Sequence, residues 1–280
     1  MPLTENLKSD DPNRILGVNF SGAVNCGDKI WIATASIERN VLKIQDCSPA
    51  KELPGSSAKR GICLAVLRDF ISKQRACVCG MDFPFGLPRD LVKESSWEEF
   101  VLYFGDRYQS PEDFREACFA AANGRERRRV TDEESKTPFS PYNLRLFRQT
   151  YFGIRDLLAP LVKEKLACIL PMQRPSPEKP WVVEVCPAST LRKSDLYYEY
   201  HYKGSGKEDR DARAKILSRL EAEGSLLMPT KALEAKVIDD KGGDALDCII
   251  AAIATFRSRH NLIGSRLLSV PYALEGYVYV

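Results

Sequence analysis

Apolar residues in the first third of the chain come in short runs. Arg14-Ile15-Leu16-Gly17-Val18-Asn19-Phe20 closes at Ser21-Gly22, which predicts a buried strand ending in a tight turn. Lys29 to Ala35 and Val41 to Ile44, separated by Glu38-Arg39-Asn40, predict the next two strands of a meander. From Ser57 to Lys73 the spacing changes to a helical period, with apolar positions at Ile62, Ala65, Val66, Phe70 and Ile71. Cys77 to Asp82 reads as a fourth strand that ends in a carboxylate. Phe83-Pro84-Phe85-Gly86-Leu87-Pro88 then forbids helix and strand alike, so the chain turns just past Asp82.

Residues 90–165 break this rhythm. Trp97 to Leu102, Asp113 to Ala122 and Arg145 to Val162 are helical in period, which predicts a helical insertion at 90–165 lying over a strand end. Strands resume at Leu166–Leu170 and Trp181–Val185, the second carrying Glu184 inside an apolar run. Asp211–Leu220 and the surroundings of Ala232 to Val237 predict two more helices, and Gly276–Val280 a final strand. Residues 1–13 read as a polar arm. The sharpest signal is Gly242-Gly243-Asp244-Ala245-Leu246-Asp247, which opens an apolar helical run through Thr255. Its two aspartates are three residues apart and share one helix face. Carboxylates on so apolar a helix need partners, and a divalent cation is one.

Composition narrows the chemistry. With 280 residues and 44% apolar content the chain can bury a sizeable core, and one large domain spanning 1–280 is expected. Net charge is only +3, which excludes a wholly basic nucleic-acid coat but not a local patch. Arg125 to Arg155 supplies such a patch, with eight basic and four acidic residues, a net of +4. Nine scattered cysteines lack zinc-ligand spacing and point to a reducing, cytoplasmic compartment. The first thirteen residues do not read as a signal peptide, and no apolar run reaches membrane-spanning length. With only His201 and His260 present, histidine-based mechanisms are thinned out.

Three strands joined by turns, then a helix and a fourth strand, is the order of an RNase H-like α/β domain: a mixed sheet with flanking helices. In that fold the first and fourth strands are neighbours and a late helix packs near their ends. Asp82, Glu184, Asp244 and Asp247 would then converge on a site for Mg²⁺ or Mn²⁺, which prefer oxygen ligands. Simpler roles compete. Acids at a helix start are favoured by its dipole, which suits Asp244 better than Asp247. Asp82 can cap the turn around Pro84. Glu184 can pair with an insertion arginine.

Four segments resemble the motifs of a bacterial and archaeal family of predicted RNase H-like nucleases, catalogued as a domain of unknown function. They are Ile15 to Ala23, Gly80 to Pro88, Val183 to Ala188 and Gly243 to Asp247, and Glu275-Gly276-Tyr277-Val278 is similar to that family's ending. The resemblance implies a metal-dependent nuclease with Asn19, Asp82, Glu184, Asp244 and Asp247 at its catalytic centre. It also places Lys203 near the site. Where the family has aspartate this chain has Asn19, which keeps the shape but loses a charge and a good ligand oxygen. That departure predicts weaker metal binding, a single ion, or lost catalysis.

For substrate, Ser21-Gly22 offers backbone amides to a phosphate, although such a pair more often only makes a turn. Arg128 and Arg129, with Arg145 and Lys203, would hold a nucleic-acid backbone, against the alternative of a solvated face. Tyr197, Tyr198, Tyr200 and Tyr202 could stack on bases, with packing the commoner use. A Cys186–His201 thiol nucleophile is disfavoured, since a lone strand cysteine usually packs as a small apolar residue. The expected activity is phosphodiester hydrolysis. The alternative is a protein that keeps the fold, has lost the chemistry at Asn19, and binds nucleic acid or protein. An ATP-using sugar-kinase-like enzyme ranks last, since that class needs two copies of the fold and a second phosphate loop.

Overall fold

The computed structural model describes residues 12–196, 201–264 and 267–280. Most of the predicted arm, residues 1–11, lies outside them. Strand β1 (Arg14–Asn19) pairs antiparallel with β2 (Trp31–Glu38), which pairs antiparallel with β3 (Val41–Pro49). The β2–β3 turn places Arg39 and Asn40 at φ 51° and 65°, the left-handed pair that matches strand twist in a two-residue hairpin. β3 runs longer than its apolar pattern predicts. Beyond Ile44 it turns exposed Gln45 and Asp46 to solvent and buries Cys47.

After α1 (Arg60–Ser72), β4 (Cys77–Asp82) returns parallel to β1. Between β4 and β5 (Cys168–Leu170) lie α2 (Trp97–Arg107), α3 (Pro111–Ala121), α4 (Val130–Glu134), α5 (Phe147–Phe152) and α6 (Ala159–Lys163). A π-helical turn, Gly153–Leu158, joins the last two. Ser96 and Ser110 accept the Glu99 and Asp113 amides, which fixes the starts of α2 and α3. Next come β6 (Trp181–Val185), α7 (Pro187–Lys193), α8 (Lys207–Ala222), β7 (Leu226–Leu227), α9 (Lys231–Asp239), α10 (Asp244–Ser258), α11 (Tyr272–Glu275) and β8 (Val278–Tyr279).

The sheet order is β5-β6-β4-β1-β2-β3-β7, with β8 pairing on β6. A three-stranded meander is thus extended, on the β1 side, by parallel strands. This is the mixed α/β arrangement expected of an RNase H-like fold. β1 and β4 sit at its centre, and their register sets Gly17 opposite Gly80 and Asn19 opposite Asp82.

Alternation along the central strands makes two cores. Leu16, Val18, Cys79 and Met81 face α1 and the aromatic interior of α2 to α6, where Phe100, Phe104, Phe114 and Tyr151 cluster. Ile15, Val78 and Val183 face α10, whose residues Ala245 to Phe256 are all buried. Gly17 and Gly80 form a groove for that helix. A Cβ at Gly17 would collide with the Cys248 carbonyl oxygen and the Ala252 nitrogen, and one at Gly80 with the Thr255 hydroxyl. At these two positions α10 therefore rests on strand backbone, between the side chains of the neighbouring residues.

Overpacking against backbone has no flexible neighbour to relieve it. Gly17→Ala should cost about 1–3 kcal/mol of unfolding free energy, or more. Gly61→Ala is the control: its Cβ meets open space in α1, and the change should be neutral or stabilise by about 0.5–1 kcal/mol. Urea unfolding of both variants checks the pair.

Candidate active site

The register of β1 and β4 brings Asn19 and Asp82 side by side where both strands end. α10 starts at the same end. Gly243, at φ 73°, makes the left-handed entry, and the Asp240 carboxylate accepts the Ala245 amide at 3.0 Å in place of a capping side chain at Gly243. Asp244 thereby meets Asn19: the Asn19 amide donates to Asp244 Oδ1 at 3.2 Å and to the Lys29 carbonyl at 3.1 Å. Lys29 Nζ lies 3.9 Å from Asp244 Oδ2.

The four predicted carboxylates are treated very differently. Asp82 has no hydrogen-bond or ion-pair partner for its carboxylate among the described residues; only its backbone carbonyl is held, by the Gln149 side chain. Burial pushes its pKa from 3.8 to about 8, with the nearby Asp247 charge adding to the rise and Lys203 opposing it. Asp244 is raised to about 6, again chiefly by burial and then by Asp240 and Asp247. Asp247 is saturated: the Tyr202 hydroxyl donates to Oδ1 at 2.7 Å and Lys203 Nζ to Oδ2 at 2.6 Å. That contact with Asp247 holds the Lys203 ammonium above its ordinary pKa.

Glu184 belongs to a separate buried network. Arg129 Nη2 and Nη1 donate to its two oxygens at 2.5 and 2.8 Å, and the Phe85 amide adds a bond at 2.9 Å. The same guanidinium grips Asp132 at 2.7–2.9 Å and the Glu275 carbonyl at 3.1 Å. Burial opposes the Arg129 charge, but Asp132 and Glu184 more than offset it. The Glu275 carboxylate accepts the Arg89 and Val130 amides, both at 2.8 Å.

The structure places the predicted residues in separate surroundings. Among the described residues no group of three Asp, Glu, His or Cys side chains is arranged to hold one ion. Glu184 pairs with Arg129, and Asp247 with Tyr202 and Lys203. Arg129, predicted as a substrate contact, is 1% exposed and bonded to Glu184, Asp132 and the Glu275 carbonyl. Asp82 and Asp244 are the least engaged of the four predicted ligands. Two carboxylate oxygen donors suit Mg²⁺ or Mn²⁺, which are commonly held by one or two carboxylates and otherwise by water and substrate phosphate.

A cavity of about 990 Å³ opens over these groups. Its lining includes Asn19, Asp82, Asp244 and Lys203, together with Pro138, Phe139, Arg145 and Gln149 from the segment between β4 and β5. Ser21 sits on its lining, with its hydroxyl accepting the Ala23 amide at 3.3 Å in a turn. Arg145 lies over the Phe139 ring, 5.3 Å from its centre. Arg128 instead lines a second cavity with Arg89 and Arg127, and donates to the Pro138 carbonyl at 3.1 Å. Burial pushes the Cys186 thiol up to about 12, so it is no thiolate, and His201 contacts Asp209 instead. Tyr197, Tyr198 and Tyr200 lie outside the described residues; Tyr202 is buried and serves Asp247, not a base.

Lys29, Gln149 and Asp240 complete the site and escaped sequence reasoning, and Tyr202, a stacking candidate by sequence, instead donates to Asp247. Asp240 alone carried a readable signal, an acid just ahead of a Gly-Gly helix start.

The chain matches no protein-family model and no curated protein. Among solved structures it is similar to the yeast mitochondrial Holliday junction resolvase Ydc2, at 12% identity over 90% of this chain and 82% of that one, with a TM-score of 0.40.

Folding lifts the Asp82 pKa from 3.8 to about 8, so folding takes up a proton between those values. The contribution of Asp82 to stability therefore falls as pH rises through that window and is flat above it. With a chelator present, Asp82→Asn should match the wild type near about pH 4 and exceed it increasingly towards about pH 9, read as the difference in unfolding free energy. A separate expectation concerns the buried ion network. Arg129→Leu should cost about 3–5 kcal/mol by stranding Glu184 and Asp132, whereas exposed Arg145→Leu should stay within about 0.5 kcal/mol; thermal unfolding separates the two.

Proposed function

We propose that the chain is a divalent-metal-dependent phosphodiester hydrolase acting on nucleic acid, of the RNase H-like nuclease kind its four motifs resemble. The observation that carries this reading is the Asp82 carboxylate, without a hydrogen-bond partner among the described residues, lining one cavity with Asp244, Lys203, Arg145 and Phe139. Asp82 and Asp244 would hold the ion, which supplies the charge stabilisation that an in-line displacement at phosphorus needs. The remaining work belongs to the chain. Asn19 orients Asp244 by donating to it, and Lys29 favours its charged form. Arg145 and Lys203 offer cationic donors to phosphate oxygens. Phe139 offers a ring face to a base. Nine free cysteines, eight of them buried, suit the reducing interior of a cell.

A second reading keeps the binding and drops the turnover. It is favoured by Asn19, whose two amide contacts an aspartate could not make, and which leaves the central strand without a carboxylate.

The test is cleavage of labelled single-stranded, duplex and branched DNA and of RNA, with Mn²⁺ and with chelator. Metal-dependent cleavage that falls to background in folded Asp244→Ala is expected. Cleavage that survives the substitution would point to a contaminant or another site, and metal-independent binding without turnover would favour the second reading.

A further inference from the structure

Lys203 is held with more structure than a surface lysine needs. Arg213, on α8 and 2% exposed, donates from Nη1 to the carbonyls on either side of it, Tyr202 at 2.6 Å and Gly204 at 3.0 Å. Its Nε donates to the Ile238 carbonyl at 2.6 Å, which ties the segment to α9. The Gly204 amide in turn donates to the Lys241 carbonyl at 2.9 Å, on the approach to α10. A buried guanidinium thus sets the backbone of residues 202–204 against the loop that carries Asp244. The Lys203 ammonium ends 2.6 Å from Asp247 Oδ2 while its side chain stays about half exposed, at 53%. The second Asp247 oxygen is occupied by Tyr202.

A carboxylate on the catalytic-side face of α10 is therefore already neutralised by a resident cation. From this arrangement we infer that the Lys203 ammonium fills the place beside Asp247 where a second cation could otherwise bind, so that the protein takes a single divalent ion, at Asp82 and Asp244. The inference rests on the hydrolase reading for its chemistry but concerns how many ions the chain accepts. A phosphodiester entering the cavity would meet one exchangeable cation and one fixed ammonium. Arg213 is a positioning residue: it touches neither ion nor substrate and acts through the placement of Lys203. A fixed ammonium differs from a second metal ion in one respect that matters: it is present at any free-ion concentration.

The experiment counts ions on the full chain. Mn²⁺ is titrated by calorimetry, and the bound ions are examined by electron paramagnetic resonance, where two neighbouring ions couple and one does not. The wild type should bind one Mn²⁺ without coupling. Lys203→Gln should admit a second and show coupling, while Lys203→Arg, which keeps the charge, should stay at one. Lys29→Gln controls for a general loss of positive charge; it should tighten binding without adding an ion. Unfolding curves establish that each variant is folded, and the Lys203→Arg count stands on its own if Lys203→Gln does not fold. Two coupled ions in the wild type, no bound ion, or an unchanged count in folded Lys203→Gln would overturn the inference. Nucleic-acid cleavage is measured in parallel. One ion bound with no cleavage leaves the count standing and removes the hydrolase reading; cleavage with two ions bound does the reverse.

Discussion

Asp82 and Asp244 come from segments far apart in sequence, and they share a cavity because α10 lies directly on strand backbone. Gly17 and Gly80 are register partners on β1 and β4, and a Cβ on either would strike the helix. A helix seated on side chains would stand farther from the sheet and could shift with their rotamers. One seated on backbone has little freedom to slide, because protein interiors are close-packed and transmit strain. The separation of the carboxylates thus follows from two missing methyl groups. Everything chemically specific at the strand ends inherits that placement: the Asn19–Asp244 contact, the Asp247–Lys203 pair and the lone Asp82.

A second constraint is the buried ion network at the same cavity. Arg129 joins α4, β6 and α11 through Asp132, Glu184 and the Glu275 carbonyl, and Glu184 also receives the Phe85 amide. The turn after β4, the helices that follow it and the approach to β8 are therefore referred to one guanidinium. Buried ion networks are costly to desolvate, and a hydrophobic substitute of similar volume can be as stable. What apolar packing lacks is direction. The planar fork of Arg129 fixes where Glu184 points, and with it the path of the chain past Asp82.

Much of the sheet was legible because strand and helix periods differ. The change of spacing near Ser57, the turn forced after Asp82 by Pro84, and the Gly-Gly entry to α10 each mark a boundary that the structure keeps near the expected place. The carboxylates were legible as charges at the ends of apolar runs. Their partners were not. Arg127, Arg128 and Arg129 are three identical letters in a row, yet only the third turns inward, since its partner Glu184 arrives 55 residues later. Asp247 likewise reads as a ligand from its spacing, and in the structure Lys203 and Tyr202, 44 and 45 residues earlier, donate to it. Long-range pairing decides whether a buried acid faces a cation or a neighbouring side chain, and local spacing carries no record of it.

The glycine groove also bears on how the chain is made. β1 and β4 emerge early from the ribosome, and the helix that covers them follows only after the long α2–α6 segment and three further strands. Until then an uncovered strip of central sheet must wait for a contact of high sequence separation, the kind that forms slowly. During synthesis Asp82 stands without Asp244, so the cavity over the strand ends takes shape only when α10 packs, as one of the last events of folding.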